Sequence, residues 1–183
     1  MKEFDASYLE PFAKLVDIYG FIGIKKTSPR YTPRTYNPFY RLYVTLRVPC
    51  TEKDMIVKFH EVFGGHLKQD GIIYFYTAYD RQAEQILLTV YNLLKKNHKR
   101  AKVALDFAYT KRQGYLHKTK QVGTRRFVNI HGIEYEFPVF AYSDEFVAQL
   151  EHYYVLLKEE LPNIKMDSFF QFDGLNRSLK MYS

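Results

Sequence analysis

Apolar residues recur at two different periods along the chain, and these periods predict its helices and strands. An apolar residue at every third or fourth position predicts helices over residues 5–19, 51–63, 80–94 and 98–114. Short stretches rich in β-branched and aromatic residues predict strands over residues 21–26, 40–48, 66–69 and 72–78. The predicted order is helix, strand, strand, helix, strand, strand, helix, helix, which belongs to the α+β class.

The strand predicted over residues 40–48 alternates most regularly. One of its faces carries the apolar residues Leu42, Val44, Leu46 and Val48, and the other carries Arg41, Tyr43, Thr45 and Arg47. Because the apolar face must be buried against helices, the basic face is left for solvent or a partner. Residues 28–38, which precede this strand, contain three prolines and are predicted to form a long exposed loop.

The last third of the chain is predicted to extend a compact core. Residues 115–127 are basic and are interpreted as a loop. Residues 128–130 and 133–140 predict a hairpin, and Ser143 caps a helix that runs to about residue 161. We therefore expect a core over residues 1–114. An extension over residues 115–183, made of loop, β-hairpin, helix and tail, is expected to pack on it.

The composition excludes several classes of protein. The 183 residues suit one compact domain, and the single cysteine excludes a disulfide framework or a four-thiolate metal site. The six histidines show no metal-ligand spacing. No apolar stretch approaches the roughly 20 residues that cross a bilayer. The N-terminal residues carry acids and lack an apolar signal core, so we expect an intracellular protein without a membrane partner.

The formal net charge is +7, and it is unevenly distributed. No acid lies between Asp17 and Glu52, a stretch that holds six lysines and arginines. Residues 95–126 hold eleven lysines and arginines but a single acid, Asp106. Such one-sided charge is typical of a surface that binds a polyanion. The alternative interpretation is a solvated basic face without function.

Residues 12–20, with the sequence FAKLVDIYG, resemble the founding motif of the LAGLIDADG homing endonuclease family. Residues 21–26 then resemble the family's first strand, residues 51–65 its second helix, and residues 94–105 its basic turn and last core helix. The resemblance implies an αββαββα core whose saddle-shaped antiparallel sheet lies on DNA. For a chain with a single motif, it also implies a homodimer.

The chain departs from this family where the family performs its chemistry. The family places a metal-binding carboxylate at the eighth motif position, where this chain has Tyr19. Asp17 lies about half a turn away and is interpreted as a solvent-facing or hydrogen-bonded acid. Asn97 replaces a commonly basic residue, beside Lys96. We therefore expect no catalytic residue, metal or cofactor; Asp17, Lys96 and Mg²⁺ would act only if cleavage survives.

The motif helix also departs from the family at its dimer seam. The third and seventh motif positions are usually small, which lets two motif helices pack closely. This chain has Lys14 and Ile18 at those positions. A lysine in a tight helix seam would bury an unpaired charge, which argues against the family's usual homodimer.

The candidate nucleic-acid contacts lie on the outward strand faces or in the basic segments. They are Lys25, Arg30, Arg34, Arg41, Tyr43, Arg47, Lys68, Lys96, Lys99, Arg100, Arg125 and Arg126. His66, Tyr74 and Tyr76 are further candidates from the third and fourth strands, with simple packing as the alternative for the tyrosines. Arginine reads guanine edges or clamps phosphates, and tyrosine stacks on unpaired bases.

These observations predict a LAGLIDADG-derived nucleic-acid-binding protein that has lost cleavage. RNA is favoured over DNA, as in a splicing maturase or a ribonucleoprotein component such as a protein of an organellar ribosome. Protein partners would bind the C-terminal segment, and the family's frequent occurrence in organelles favours the mitochondrion. Two alternatives stay open: an active homing endonuclease making metal-dependent double-strand DNA breaks, and a scaffold that binds proteins through its acidic C-terminal segment.

Overall fold

The computed structural model describes residues 6–31, 36–117 and 119–159. The helices are α1 (Ala6–Tyr19), α2 (Lys53–Phe63), α3 (Asp80–Val90), α4 (His98–His117) and α5 (Asp144–Glu159). The strands are β1 (Gly20–Tyr31), β2 (Tyr36–Pro49), β3 (His66–Asp70), β4 (Ile73–Tyr79), β5 (Thr119–Val128) and β6 (Glu134–Tyr142). In chain order, the first eight helices and strands run α1-β1-β2-α2-β3-β4-α3-α4, which confirms the predicted order. None of the described helices is long and apolar enough to span a membrane.

Strands β1 to β4 form one antiparallel sheet in the order β1-β2-β4-β3. The alternation predicted for β2 is confirmed, because its even-numbered residues from Tyr40 to Val48 are buried. Val44 lies opposite Ile22 of β1 and opposite Ala78 of β4, and all three are fully buried. The alternation of side chains along each strand therefore gives the sheet an inner face that packs on helices and an outer face turned away from them.

Helices α1 to α4 cover the inner face of the sheet. Helix α1 buries the apolar residues that predicted it, Leu9, Phe12, Ala13, Leu15 and Val16. The ring of Phe12 makes edge contacts with the rings of Phe59 and Phe63 of α2, at 5.7 and 5.8 Å between centroids. Full burial of side chains of this size stabilises a fold by about 1.5–3 kcal/mol each.

Helix α5 packs against α4 and β1. Its residues Phe146, Leu150 and Leu157 are buried in the same core as the inner face of the sheet. Gly114 of α4 makes room for Phe146, because a Cβ at position 114 would lie 1.7 Å from an atom of that ring. Ser143 caps the helix as predicted, and its hydroxyl accepts a hydrogen bond from the N–H of Phe146.

A partly exposed ion pair with a third partner joins α5 to β1 and β2. The Nζ of Lys26 donates to Oε2 of Glu151 at 2.8 Å, and the hydroxyl of Tyr40 donates to the same oxygen. Desolvation alone would raise the pKa of Glu151, but the hydrogen bonds from Lys26 and Tyr40 and the nearby positive charges lower it overall. Burial, followed by the contact with Glu151, raises the pKa of Tyr40.

Two loop predictions are wrong. Helix α4 continues to His117, and residues 119–128 form β5, which pairs with β6 in a separate two-stranded ribbon. Most described side chains of this ribbon are exposed, so no buried face imposed an apolar alternation on the sequence. Strand β1 also extends to Tyr31 and β2 begins at Tyr36, which leaves residues 32–35 of the predicted loop outside the described residues.

Candidate nucleic-acid interface

The outer face of the sheet is formed by the odd-numbered residues of β1, β2 and β4 and the even-numbered residues of β3. The strand register sets these side chains in rows across the sheet. Lys25 lies opposite Arg41, and Arg47 lies opposite Phe75, which in turn lies opposite Lys68. The predicted contacts from three different strands, Lys25, Arg41, Arg47 and Lys68, therefore share one surface.

Aromatic rings lie beside the cationic groups of this face. The guanidinium carbon of Arg47 is 5.4 Å from the centroid of the Phe75 ring, and that of Arg41 is 4.4 Å from the Tyr79 ring. The rings of Phe21 and Tyr43 are stacked, with centroids 5.7 Å apart and an interplanar angle of 29°, and Tyr43, a predicted contact, is only 9% exposed in this packing. A guanidinium beside an aromatic ring offers a flat cationic surface, which suits both phosphate oxygens and exposed base faces.

Arg41 is held in place by a carboxylate that the sequence did not single out. Its Nε donates to Oδ2 of Asp80 at 2.9 Å, and Nζ of Lys111 donates to Oδ1 of the same residue at 3.0 Å. Asp80 has φ 46°, a left-handed conformation that aspartate adopts more readily than most residues. The Asp80 carboxylate thus orients Arg41 while offsetting part of its charge.

Tyr74 and Tyr76 are not on the outer face, and their prediction as contacts is wrong. Both are buried on the inner face, and burial raises the pKa of the Tyr76 hydroxyl. The outward positions of β4 belong to Ile73, Phe75, Thr77 and Tyr79. Strand β4 has aromatic residues on both faces, so its alternation cannot decide which face is inward. Its register with β2 decides this, and register is a tertiary property.

The end of α1 is joined to the start of α4 by Asp17 and Asn97. Oδ2 of Asp17 accepts a hydrogen bond from the N–H of Lys95 at 2.7 Å, and Oδ1 accepts one from the N–H of Asn97 at 2.8 Å. The side-chain amide of Asn97 donates to the carbonyl of Val16 at 2.8 Å, and Asn97 is 6% exposed. The interpretation of Asp17 as a hydrogen-bonded acid is confirmed.

These residues do not fit a Mg²⁺ site of the kind that the sequence motif implies. Such a site needs hard oxygen ligands, of which carboxylates contribute most of the charge. Tyr19 supplies a neutral phenol at the motif position, and both oxygens of Asp17 already accept main-chain N–H groups. Across residues 6–31, 36–117 and 119–159, no three His, Cys, Asp or Glu side chains form a group that could hold a metal ion.

The basic residues near this joint divide into two groups. Lys95, Lys96 and Lys99 are exposed. Arg100 instead donates to the carbonyl of Ile22 at 3.0 Å and to the carbonyl of Leu157 at 2.8 Å. The structure therefore places Arg100 as a link between β1 and α5, whereas the lysines present their charge to solvent.

The other predicted contacts lie away from the centre of the sheet. Arg125 and Arg126 are exposed on β5, and Nε of Arg126 donates to Oε1 of Glu136 at 2.6 Å. Arg30 lies in β1, beyond a shift of register after Thr27. Arg34 lies outside the described residues.

The face of α1 that would form the family's dimer seam is exposed and carries both an ion pair and an isoleucine. Lys14 pairs with Glu10 one helical turn away, with Nζ 3.5 Å from Oε1, and both side chains are largely exposed. Ile18 is 63% exposed. An exposed i,i+4 ion pair is worth a few tenths of a kcal/mol, so desolvating Lys14 in a helix seam would cost more than this pair contributes.

Comparison with solved structures places this fold among known ones, although no protein-family model and no curated protein sequence matches the chain. An archaeal intron-encoded homing endonuclease, I-Vdi141I, complexed with DNA, matches with a TM-score of 0.58, 9% identity and 87% of each chain covered. The LAGLIDADG homing endonuclease I-GzeII in complex with its DNA target matches with a TM-score of 0.53 and 10% identity, over 89% of this chain and 48% of that one.

The meganuclease I-SmaMI bound to uncleaveable DNA matches with a TM-score of 0.54 and 10% identity, over 79% of this chain and 43% of that one. This chain thus covers less than half of two of these structures and most of the archaeal one. The shared features are the α+β class and the four-stranded antiparallel sheet covered by helices on one face. The chain has the fold of the LAGLIDADG homing endonucleases.

Proposed function

We propose that this chain is a nucleic-acid-binding protein that uses the LAGLIDADG-type fold without its cleavage chemistry. The observation that carries the proposal is the composition of the outer face, where cations from three strands lie among aromatic rings. The net charge of +7 favours an anionic partner. The solved structures of this fold hold DNA, which supports nucleic-acid binding as such.

The pairing of rings with guanidinium groups favours RNA over duplex DNA. Folded RNA offers unpaired bases in loops and bulges, and these bases stack on aromatic side chains or on guanidinium planes. Duplex DNA keeps its base faces stacked inside the helix. Arg47 with Phe75 and Arg41 with Tyr79 are suited to the first kind of ligand.

The proposed absence of cleavage follows from the donor set at the end of α1. A divalent cation positioned there would need carboxylates to hold it and to generate a nucleophile. The neutral phenol of Tyr19 lacks the negative charge of a carboxylate. The Asp17 carboxylate joins α1 to α4 instead. The proposed function therefore requires no metal or cofactor.

The β5–β6 ribbon supports assembly into a ribonucleoprotein. Contiguous exposed apolar surface commonly marks a protein interaction site. The ribbon exposes a group of large apolar side chains: Phe127, Val128, Ile130, Ile133, Tyr135 and Phe137. We therefore assign nucleic-acid binding chiefly to the sheet of the core, residues 1–114, and protein-partner binding to the β5–β6 ribbon of the extension, residues 115–183. An organellar maturase-like or ribosomal role is the proposed setting.

A binding titration of the purified full chain tests the function. A structured RNA and a duplex DNA are compared at several salt concentrations. The double variant Arg47→Gln, Lys68→Gln is expected to bind the RNA about tenfold more weakly, and its log–log salt slope should fall by one to two. The matched control is Lys53→Gln, Lys58→Gln on α2, which removes the same charge from the helix-covered side of the sheet.

Equal losses from the two double variants would contradict an outer-face site, because net charge alone would then explain binding. Tighter binding to duplex DNA, followed by cleavage that requires Mg²⁺, would instead favour the homing endonuclease.

A further inference from the structure

We infer that the edge of the outer face next to α5 holds a pocket that receives one unpaired pyrimidine base of a bound RNA. The inference rests on the proposed function and names the part of the RNA that one site recognises. The pocket lies where α5 passes β1, the edge strand of the sheet. Its volume is about 170 Å³.

Three aromatic rings line this pocket, those of Phe21, Tyr43 and Tyr154. Phe21 and Tyr43 are the stacked pair of the outer face, and Tyr154 comes from α5 on the other side. Stacking on such rings is tolerant of sequence, since every base has a π face. Tyr43 is only 9% exposed, so Phe21 and Tyr154 supply the ring surface that a single unstacked base would contact.

Gly23 lies between the two stacked rings, where any larger residue would disturb them. A Cβ at this position would lie 2.7 Å from a ring atom of Phe21 and 2.7 Å from the ring and hydroxyl of Tyr43. These distances are shorter than non-bonded carbon contacts allow, so a side chain would push the rings apart or fill the space between them. The shape of the pocket therefore requires a glycine at position 23.

The charge of the pocket suits a base that carries its phosphate. Lys25, Lys26 and Lys158 contribute to its lining, and none of the described lining residues is acidic. Lys26 is paired with Glu151 outside the lining, and Nζ of Lys158 lies 5.9 Å from the centroid of the Tyr154 ring, so Lys25 is the lining cation best placed for a phosphate, with Lys158 beside it. Lysine acts on phosphate as a point charge and does not impose a geometry.

The size of the pocket favours a single-ring base. A cavity of about 150 Å³ is known to hold benzene, a ring close in size to a pyrimidine. Pockets that bind drug-sized ligands have volumes of roughly 300–1,000 Å³. A pocket of about 170 Å³ therefore matches a single-ring base in size.

The wall supplied by α5 is anchored at several points, so the pocket is preformed. The guanidinium of Arg100 donates to the carbonyls of Ile22 and Leu157, which belong to β1 and α5. Glu151 accepts from Lys26 and Tyr40 on the same side of the helix. These contacts fix the distance between Tyr154 and the stacked rings before any ligand arrives.

Competition between matched RNAs tests the pocket. One RNA hairpin carries a single bulged uridine, a second carries a bulged adenosine, and a third is fully paired. The wild-type chain is expected to bind the uridine bulge about tenfold more tightly than the paired hairpin, with the adenosine bulge between them. Tyr154→Leu and Gly23→Ala should each remove this preference, so that the uridine-bulged and the fully paired hairpins bind equally well.

Tyr109→Leu is the matched control, because Tyr109 is exposed on α4 and outside the pocket lining. Phe21→Leu is a second test should Gly23→Ala fail to fold, as judged by its thermal unfolding midpoint. Equal binding of all three hairpins by the wild-type chain would overturn the pocket but not the proposed function. Failure to bind any RNA would overturn the proposed function itself.

Uridine monophosphate distinguishes a bulged base from a free nucleotide. At millimolar concentration it should abolish the preference for the uridine bulge and leave binding to the paired hairpin intact. If the nucleotide binds the wild-type chain, loses that binding in Tyr154→Leu and yet does not compete with the bulged RNA, the pocket serves a free nucleotide and the inference is overturned.

Discussion

The carboxylate of Asp17 accepts a hydrogen bond from the main-chain N–H of Asn97 at 2.8 Å, and this contact joins the motif helix α1 to α4. Asn97 returns a hydrogen bond from its buried side chain to the carbonyl of Val16. The two residues therefore form a reciprocal link near Tyr19, at the end of the motif helix. Asp17, which the sequence predicts to bind metal only if cleavage survives, is explained here by the geometry of a helix joint.

Asp17→Asn is expected to destabilise the fold by about 1.5–3 kcal/mol. An amide accepts through one oxygen, and its NH₂ group would oppose one of the two main-chain N–H donors. Chemical denaturation of the purified protein measures the loss. Asp106→Asn is the control, because Asp106 forms an exposed pair with Lys102 and should change stability by less than about 0.5 kcal/mol. An unchanged midpoint for Asp17→Asn would contradict the structural role of this carboxylate.

Arg100→Gln and Lys96→Gln should have opposite consequences although both remove one charge from the same segment. Arg100 satisfies two main-chain carbonyls, so its loss should reduce the free energy of unfolding by about 1.5–3 kcal/mol. Lys96 is exposed, so its loss should weaken RNA binding and leave stability unchanged. Denaturation and binding are measured on both variants. A stable Arg100→Gln protein with weakened binding would reverse the assignment.

Phe75→Leu separates stacking from charge on the outer face. The variant keeps every cation but removes the ring beside Arg47. RNA binding should weaken about tenfold, because one stacked base is worth roughly 1–3 kcal/mol, while the salt slope stays constant. A titration at several salt concentrations measures both quantities, with Tyr109→Leu as the control. A reduced salt slope without loss of affinity at low salt would speak against stacking.

Stability should depend on pH through Glu151. Its pKa is lowered in the folded protein, so the stabilisation it provides is present above the pKa of the unfolded chain and is lost as pH falls through the lower folded value. The thermal midpoint of the wild-type chain should therefore decrease between about pH 6 and pH 3. In Glu151→Gln this decrease should be smaller. Glu145→Gln, an exposed substitution on the same helix, should retain the wild-type pH profile.

The sequence predicted the fold well because its strongest patterns are local. The alternation in β2 and the helical spacing in α1 each depend on neighbouring residues, and both match the observed burial. Strand β4 differs, because it carries aromatic residues on both faces and its orientation depends on pairing with β2. The described side chains of β5 are exposed, so its sequence lacks the apolar alternation of a half-buried strand. This is why the sequence of residues 115–127 is interpreted as a loop.

The candidate site was predictable in part for the same reason. Lys25, Arg41, Arg47 and Lys68 meet on one face once the strands pair as their alternation requires. The carboxylate of Asp80 and the carbonyls bound by Arg100 lie far along the chain from their partners. No local pattern could connect them. The sequence therefore shows where the cationic residues lie along the chain, but not which of them already bind carboxylates or main-chain carbonyls within the fold.

The measurement that tests the central claim most directly is ultraviolet crosslinking of the tagged full chain in the cells that produce it, followed by sequencing of the attached nucleic acid. The account predicts one dominant structured RNA, with recovery reduced severalfold by Arg47→Gln, Lys68→Gln and unchanged by Lys53→Gln, Lys58→Gln. Recovery of a discrete duplex DNA site, or equal recovery from both double variants, would contradict an RNA-binding outer face.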